Sequence, residues 1–143
     1  MNRKIKNIIN ISAFLVCIGL INIAGQNIEI EIRGMNAFTF ILIVAVLLQI
    51  IFFIPSFLLK TEKYYDLVGS LTYIATISLA YFSVENKTMI DSVIYFYVMI
   101  WASRLGIYLF TRVRNVGKDV RFEKAKRHFF YFLQYWMGQA LWV

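Results

Sequence analysis

Cysteine, histidine and proline are almost missing from this sequence, since each occurs only once. The single cysteine, Cys17, cannot form a disulfide within the chain, and the single histidine, His128, leaves too few ligands for a histidine and cysteine metal site. Charged residues make up only 16% of the chain, so its net charge of +7 has almost no polar surface on which to form a nucleic-acid-binding face. These absences exclude a disulfide scaffold, a metal site of this kind and a nucleic-acid partner.

Apolar residues, in contrast, fill 60% of the 143 positions and give a mean hydropathy of +0.66. A helix needs about 17 to 25 such residues to cross the hydrocarbon core of a membrane. The pattern predicts an all-α, polytopic transmembrane bundle of about five helices, in one domain over residues 1–143, with Pro55 kinking the second helix near its end. The apolar segments are residues 8–24, 36–59, 67–84, 90–110 and 129–143.

The amino-terminal sequence MNRKIKN precedes an apolar run, as it does in a signal peptide. However, Val16 stands where a lipoprotein signal needs a small residue before Cys17, and INIAGQ is a poor cleavage site. We therefore expect an uncleaved first helix.

The loops between the apolar segments alternate between basic and acidic. Because short cytoplasmic loops retain lysine and arginine, this alternation predicts that the amino terminus and the loops after the second and fourth helices are cytoplasmic. The chain is expected to be integral to a plasma membrane, with these basic loops in the cytoplasm. The basic residues of the three cytoplasmic regions are Arg3, Lys4 and Lys6; Lys60 and Lys63; and Arg112, Arg114, Lys118, Arg121, Lys124, Lys126 and Arg127.

The densest basic stretch, RVRNVGKDVRF, covers residues 112–122. The positive-inside rule explains such a stretch without a specific ligand, because lipid head groups suffice as partners. A second interpretation is a phosphate site, since Gly117 permits a tight or left-handed turn between Arg114, Lys118 and Arg121, whose donors suit phosphate oxygens. The spacing matches neither a P-loop nor a G-x-G-x-x-G fingerprint, so both interpretations stay open.

Just before this stretch, one helical face carries an arginine among aromatic residues, namely Tyr97, Trp101, Arg104 and Tyr108. A cation at the centre of a membrane helix costs about 2.5 to 3.5 kcal/mol. This cost favours an Arg104 that faces a cavity or an acidic partner over one that only extends to the membrane interface.

Asp66 is the obvious acidic partner. Our hypothesis is that it pairs with Arg104 or Arg112 at the cytoplasmic mouth of a cavity, although capping preferences also predict that it is the N-cap of the third helix. The two roles are compatible. Gly69, one turn further on, predicts that a neighbouring helix approaches closely.

The residues provide no recognisable catalytic set. His128 lies beside Arg127 at the start of the last apolar segment, where we expect an interfacial role. No Ser-His-Asp triad, carboxylate pair or metal-ligand set can be assembled from the remaining residues. No catalytic residue is therefore assigned.

Three stretches in the second half of the chain carry a family resemblance: YYDLVGSLTY, WASRLGIYLFTRVRNVGKDVRF and QALWV. In this order, over residues 60–143, they resemble the steroid 5-alpha-reductase-like membrane family, in particular its bacterial branch of uncharacterised function. The resemblance implies an all-helical bundle that uses NADPH to reduce a carbon–carbon double bond conjugated to a carbonyl, or a sterol-like alkene, in a lipid-like substrate.

The resemblance also implies a cofactor pocket that this chain holds only in part. The family's chain continues past QALWV through further helices, so we expect this chain to lack the carboxy-terminal part and a companion chain to complete the bundle. Tyr97 and Tyr108 are candidates for the acid that protonates the product, and neither is assigned. The residues implied in cofactor binding are Arg104, Arg112, Arg114, Gly117, Lys118, Asp119, Arg121 and Phe122, and the candidates for lining or pairing in the cavity are Asp66, Tyr97, Trp101 and Tyr108.

Two alternatives to a reductase stay open. One is a non-enzymatic membrane protein whose basic loop contacts anionic lipid or a companion subunit. The other is a membrane methyltransferase, because isoprenylcysteine methyltransferases resemble the same wider superfamily.

Overall fold

The structure is a computed structural model that describes residues 3–117 and 119–143. It confirms the all-α fold class. Two short 3-10 turns, Val120–Phe122 and Ala125–Arg127, lie between the last two α-helices. The α-helices are α1 (Arg3–Gly25), α2 (Ala37–Leu58), α3 (Tyr65–Ser83), α4 (Met89–Val116) and α5 (Phe129–Trp142).

A small β-hairpin between α1 and α2 was not predicted. Its strands are β1 (Glu31–Ile32) and β2 (Met35–Asn36), which pair antiparallel. The two residues between them, Arg33 and Gly34, have φ values of 54° and 75°, as a two-residue turn with a right-handed strand twist requires. The Asn36 side chain then accepts hydrogen bonds from the first N–H groups of α2 and so fixes where that helix begins.

The α2 helix continues past Pro55 to Leu58, as the sequence predicts. The α4 helix differs from the prediction, because it runs through Arg112 and Arg114 instead of ending before the basic stretch. Arginine is a good helix former and is favoured near a helix carboxyl end by the helix dipole. Gly117 ends the helix with a left-handed φ of 84°, and its N–H bonds to the carbonyl of Val113.

The predicted N-cap role of Asp66 is wrong. The N-cap of α3 is Tyr64, which makes no side-chain capping bond, and Asp66 lies inside the first helical turn. A carboxylate in the first turn still interacts favourably with the helix dipole. Its side chain, however, is directed to the charged residues of the α4–α5 connection described below.

The core joins α2, α3 and α5 with the connection between α4 and α5. Small residues set the helix spacing, because a side chain at Gly69 would overlap Gln139 on α5, as the predicted close approach requires. Likewise, a side chain at Gly106 of α4 would overlap Ser70, whose hydroxyl donates to the carbonyl of Ala102. The main cluster of buried core residues consists of Phe53, Val68, Phe122, Ala125, Phe132 and Trp136.

Two helices, α2 and α4, are long and apolar enough to cross a membrane by length and composition. The loop between α2 and α3 contacts the connection between α4 and α5 through Glu62 and Lys126. The first part of α1 reaches the first part of α5 through Asn10 and Gln134. The regions predicted to share one side of a membrane therefore lie at one end of the bundle, which we call the basic end.

Candidate functional site

The connection between α4 and α5 is anchored by a buried carboxylate. Glu62 is only 4% exposed, and its two oxygens have different partners. One accepts from Lys126 Nζ at 2.7 Å, and the other accepts from the backbone N–H of Asp119 at 3.1 Å. Glu62 thus fixes both ends of the 3-10 segment relative to α3.

Phe122 provides the apolar part of the same anchor. Its ring is 1% exposed and packs 4.8 Å from the ring of Tyr65 and 4.9 Å from that of Tyr135, measured between centroids. Such aromatic pairs contribute about 0.5 to 1.5 kcal/mol beyond their area burial. Phe122, which the family resemblance assigns to the cofactor, is therefore a core residue that positions its neighbour Arg121.

Four charged side chains meet at the basic end, namely Asp66, Arg112, Asp119 and Arg121, which we call the charged cluster. Arg121 binds Asp119 through Nε, at 3.0 and 2.9 Å from the two carboxylate oxygens, and through one Nη at 2.5 Å. The same Nη lies 3.5 Å from Asp66. The predicted pair between Asp66 and Arg112 is present as a longer contact of 3.8 Å.

The two carboxylates of the charged cluster differ in electrostatics. Hydrogen bonds from Arg121 hold the pKa of Asp119 below its usual range. Burial raises the pKa of Asp66, which lies ahead of the apolar span 67–84, although Arg121 and Arg112 oppose that rise. Asp119 is therefore the firmly ionised partner that orients Arg121.

A groove of about 440 Å³ opens beside the charged cluster. Arg112 lies on its wall, and among the described residues its guanidinium makes only the long ion pairs to Asp66 at 3.8 Å and to Asp119 at 4.0 Å. Among the side chains that the structure describes, Arg112 forms no hydrogen bond, so its N–H groups are available as donors to an anion. The lining residues are Arg112, Val113, Val116, Asp119, Val120 and Arg121.

The aromatic face of α4 is not part of this groove. Tyr97, Arg104 and Tyr108 are exposed, and Trp101 is 41% exposed although its ring packs edge-on against Tyr73. Within residues 3–117 and 119–143, Arg104 has no ion pair, so the alternative pairing of Asp66 with Arg104 is wrong. The physical reason is position along the helix, because Arg104 lies about 12 Å of helix rise before Arg112, at about 1.5 Å per residue, and so farther from Asp66 at the start of α3.

The remaining predicted residues have separate positions. Arg114 is exposed in the last turn of α4 and does not line the groove. Gly117 supplies the left-handed turn that starts the connection, as predicted. Lys118 lies outside the described residues.

Sequence reasoning missed Glu62 as a site residue. Its signal in the sequence is that KTEK, residues 60–63, places one acid between two lysines in a loop otherwise expected to be positive. An acid retained there indicates a partner at the same end of the bundle, which proves to be Lys126.

Together, the fold and the site define an all-α protein with two helices suited to cross a membrane and a charged groove at one end. A family model described as "Protein of unknown function (DUF1295)" matches residues 52–143, and the chain belongs to this family. The family is associated with steroid 5-alpha-reductase-like proteins. No curated protein and no solved structure matches the chain.

Proposed function

We propose that this chain is an integral membrane protein that takes part in the NADPH-dependent reduction of conjugated carbon–carbon double bonds in lipid-like substrates. The observation that carries the proposal is the guanidinium of Arg112, which lines a groove with its hydrogen-bond donors available. Membership of a family associated with steroid-reductase-like proteins supports the choice of reaction. The basic end is proposed to face the bacterial cytoplasm, where NADPH is made available.

The donor set of the groove fits a phosphate. Arg112 and Arg121 are 44% and 53% exposed at their side chains, and an arginine binds phosphate oxygens with two parallel N–H groups. Asp119 holds Arg121 through Nε and one Nη, which leaves the other Nη for a ligand. Asp66 and Asp119 also limit how much negative charge the groove accepts, so a bound phosphate lies toward Arg112.

When bound, NADPH supplies the hydride. The chain's part is to hold the phosphate with Arg112, to keep Arg121 in place through Asp119, and to fix the connection through the buried Glu62. Fixing these donors before the ligand arrives reduces the ordering cost of binding.

The reaction is tested by hydride tracing. The chain is reconstituted in lipid nanodiscs with a long-chain enone and NADPH that carries deuterium at the transferable position, and mass spectrometry follows the reduced product. The proposal expects one deuterium in the product, and it expects the Arg112→Ala variant to reduce turnover at low NADPH concentration. A product formed at the same rate by Arg112→Ala, or no product from folded protein that binds NADPH, would contradict it.

A further inference from the structure

A second cavity, of about 510 Å³, lies between α1 and α5 and away from the charged cluster. Small-molecule sites have volumes of about 300 to 1,000 Å³. Ala13 and Phe14 of α1 face Leu133 and Met137 of α5 across it. These apolar walls suit the hydrocarbon body of a lipid.

The polar groups of this cavity are confined to one amide pair. Asn10 Nδ2 donates to Gln134 Oε1 at 3.1 Å, and both residues line the cavity. Gln134 Nε2 is buried and has no acceptor among the described residues. Because a buried donor without a partner is unfavourable, the amide favours an occupant that brings a hydrogen-bond acceptor.

The charge and position of the lining residues further limit which class of molecule fits the cavity. The described lining residues include no charged side chain, so the site does not favour a charged head group. The lining on α5 extends from Phe130 to Leu141, and the amide pair lies near its beginning, toward the basic end. A chain-like molecule along the helices would place its head at Gln134 and its tail toward Leu141.

We propose that this cavity binds one neutral, single-chain lipid whose head carries a carbonyl, and that Gln134 Nε2 donates to the carbonyl oxygen. The inference deepens the proposed reductase function, on which it rests, because a lipid with a carbonyl head belongs to the substrate class proposed above. Binding itself requires neither NADPH nor the charged cluster, so a failed crosslink and a failed reduction are distinguishable results. Bilayer phospholipid also carries ester carbonyls, and the experiment separates this source from a free neutral lipid.

The test uses a long-chain ketone that bears a photoactivatable diazirine, added to the full chain in phosphatidylcholine nanodiscs. Crosslinked peptides are mapped by mass spectrometry, and the unlabelled ketone or an alkane of equal length serves as competitor. We expect saturable crosslinks within α1 and α5 that the ketone displaces and the alkane does not. Crosslinks that do not saturate, or that both competitors displace equally, would mean that bulk lipid fills the cavity and would overturn the proposal.

Two glycine variants provide a matched control. A side chain added at Gly138, which lines the cavity, or at Gly19, which does not, would meet nothing within 4 Å. Gly138→Phe should therefore abolish the saturable crosslink by filling the cavity, whereas Gly19→Phe should retain it. Equal behaviour of the two variants would contradict the assigned position.

The amide is tested by Gln134→Leu, which keeps a similar side-chain size. We expect the preference for ketone over alkane to fall by roughly three- to tenfold, which is the size of one hydrogen bond. An unchanged preference in Gln134→Leu would show that Gln134 does not recognise the carbonyl.

Discussion

The helices α4 and α5 flank the same charged connection but relate to the rest of the protein in opposite ways. The α5 helix buries Phe132, Trp136 and Ala140 in the core. The α4 helix packs mainly against α3. Only 11% of the most apolar 18-residue stretch of α4 is buried, against 22% of the corresponding stretch of α2. The protein therefore holds the connection rigidly from the α5 side and leaves one face of α4 open.

An open apolar face has no energetic cost in lipid, because acyl chains are as apolar as leucine. Arg104 is the exception on that face, since a cation in the hydrocarbon region is unfavourable. It lies about 12 Å of helix rise before Arg112, at about 1.5 Å per residue. The comparison teaches that burial in the core stabilises α5, whereas the stability of α4 in a membrane depends on what surrounds the charge of Arg104.

The largest effect is expected from removing the core aromatic residue of α5. Trp136→Ala should lower the free energy of unfolding by about 3 to 5 kcal/mol, because it leaves a cavity among buried rings. Trp101→Ala on α4 should cost less, about 1 to 2 kcal/mol, since Trp101 is already 41% exposed and its ring packs edge-on against Tyr73. Equilibrium unfolding in mixed detergent compares the two variants, and equal losses would remove the proposed difference between the helices.

A smaller effect is expected at the anchor of the connection. Glu62→Ala leaves Lys126 and the N–H of Asp119 without their acceptor, so it should destabilise the protein by about 1.5 to 3 kcal/mol. Glu85→Ala, at an exposed acid of the opposite end, should stay within about 0.5 kcal/mol. Thermal unfolding and limited proteolysis of the connection measure both variants. A stable Glu62→Ala protein with a protected connection would refute the anchor.

The charged cluster should show a pH dependence of known sign. The pKa of Asp119 is lower in the folded protein, so its ionised form contributes stability above the ordinary aspartate pKa of about 4, and this contribution is lost as the pH falls through the folded value. Asp119→Asn should therefore be less stable than the wild type at neutral pH, and the difference should shrink in acid. Unfolding measured from neutral to acidic pH tests this trend, and a difference that grows in acid would reverse it.

The smallest effect is expected from Arg104→Leu. In detergent the change should alter the free energy of unfolding by no more than about 0.5 kcal/mol, because the exposed side chain has no ion pair among the residues that the structure describes. Tyr97→Leu on the same open face is a neutral control. A loss well above 1 kcal/mol for Arg104→Leu alone would indicate that a companion chain or a specific lipid head group pairs with this arginine.

Much of the fold could be predicted because apolar segment length directly sets where helices lie. Each of the five predicted segments overlaps one α-helix, and Gly117 adopts the expected left-handed turn. The β-hairpin at Arg33 and Gly34 was missed because two-residue strands leave no periodic pattern. The end of α4 could not be placed because the charges of the basic stretch indicate a loop, whereas the helix propensity of its residues carries α4 on to Val116.

The site could be predicted only in part, because contacts between distant loops depend on how the helices pack. Of the two partners that the sequence predicts for Asp66, the structure shows Arg112, since both residues lie at helix ends on the same side of the bundle. The burial of Phe122 and the bond between Glu62 and Lys126 join residues far apart in sequence. Until α5 is packed against the other helices, no local sequence pattern distinguishes Glu62, Phe122 and Lys126 from surface residues of a polar loop.

NADPH binding by two charge-matched variants tests the central claim most directly. Arg112→Ala and Arg127→Ala each remove one exposed arginine near the basic end, but only Arg112 lines the groove. Isothermal titration calorimetry of the full chain in detergent, at low and moderate salt, should show saturable NADPH binding. Arg112→Ala should weaken it at least about tenfold, and Arg127→Ala should leave it nearly unchanged. Equal losses in both variants, or no binding by folded wild-type protein, would contradict a nucleotide site in this groove.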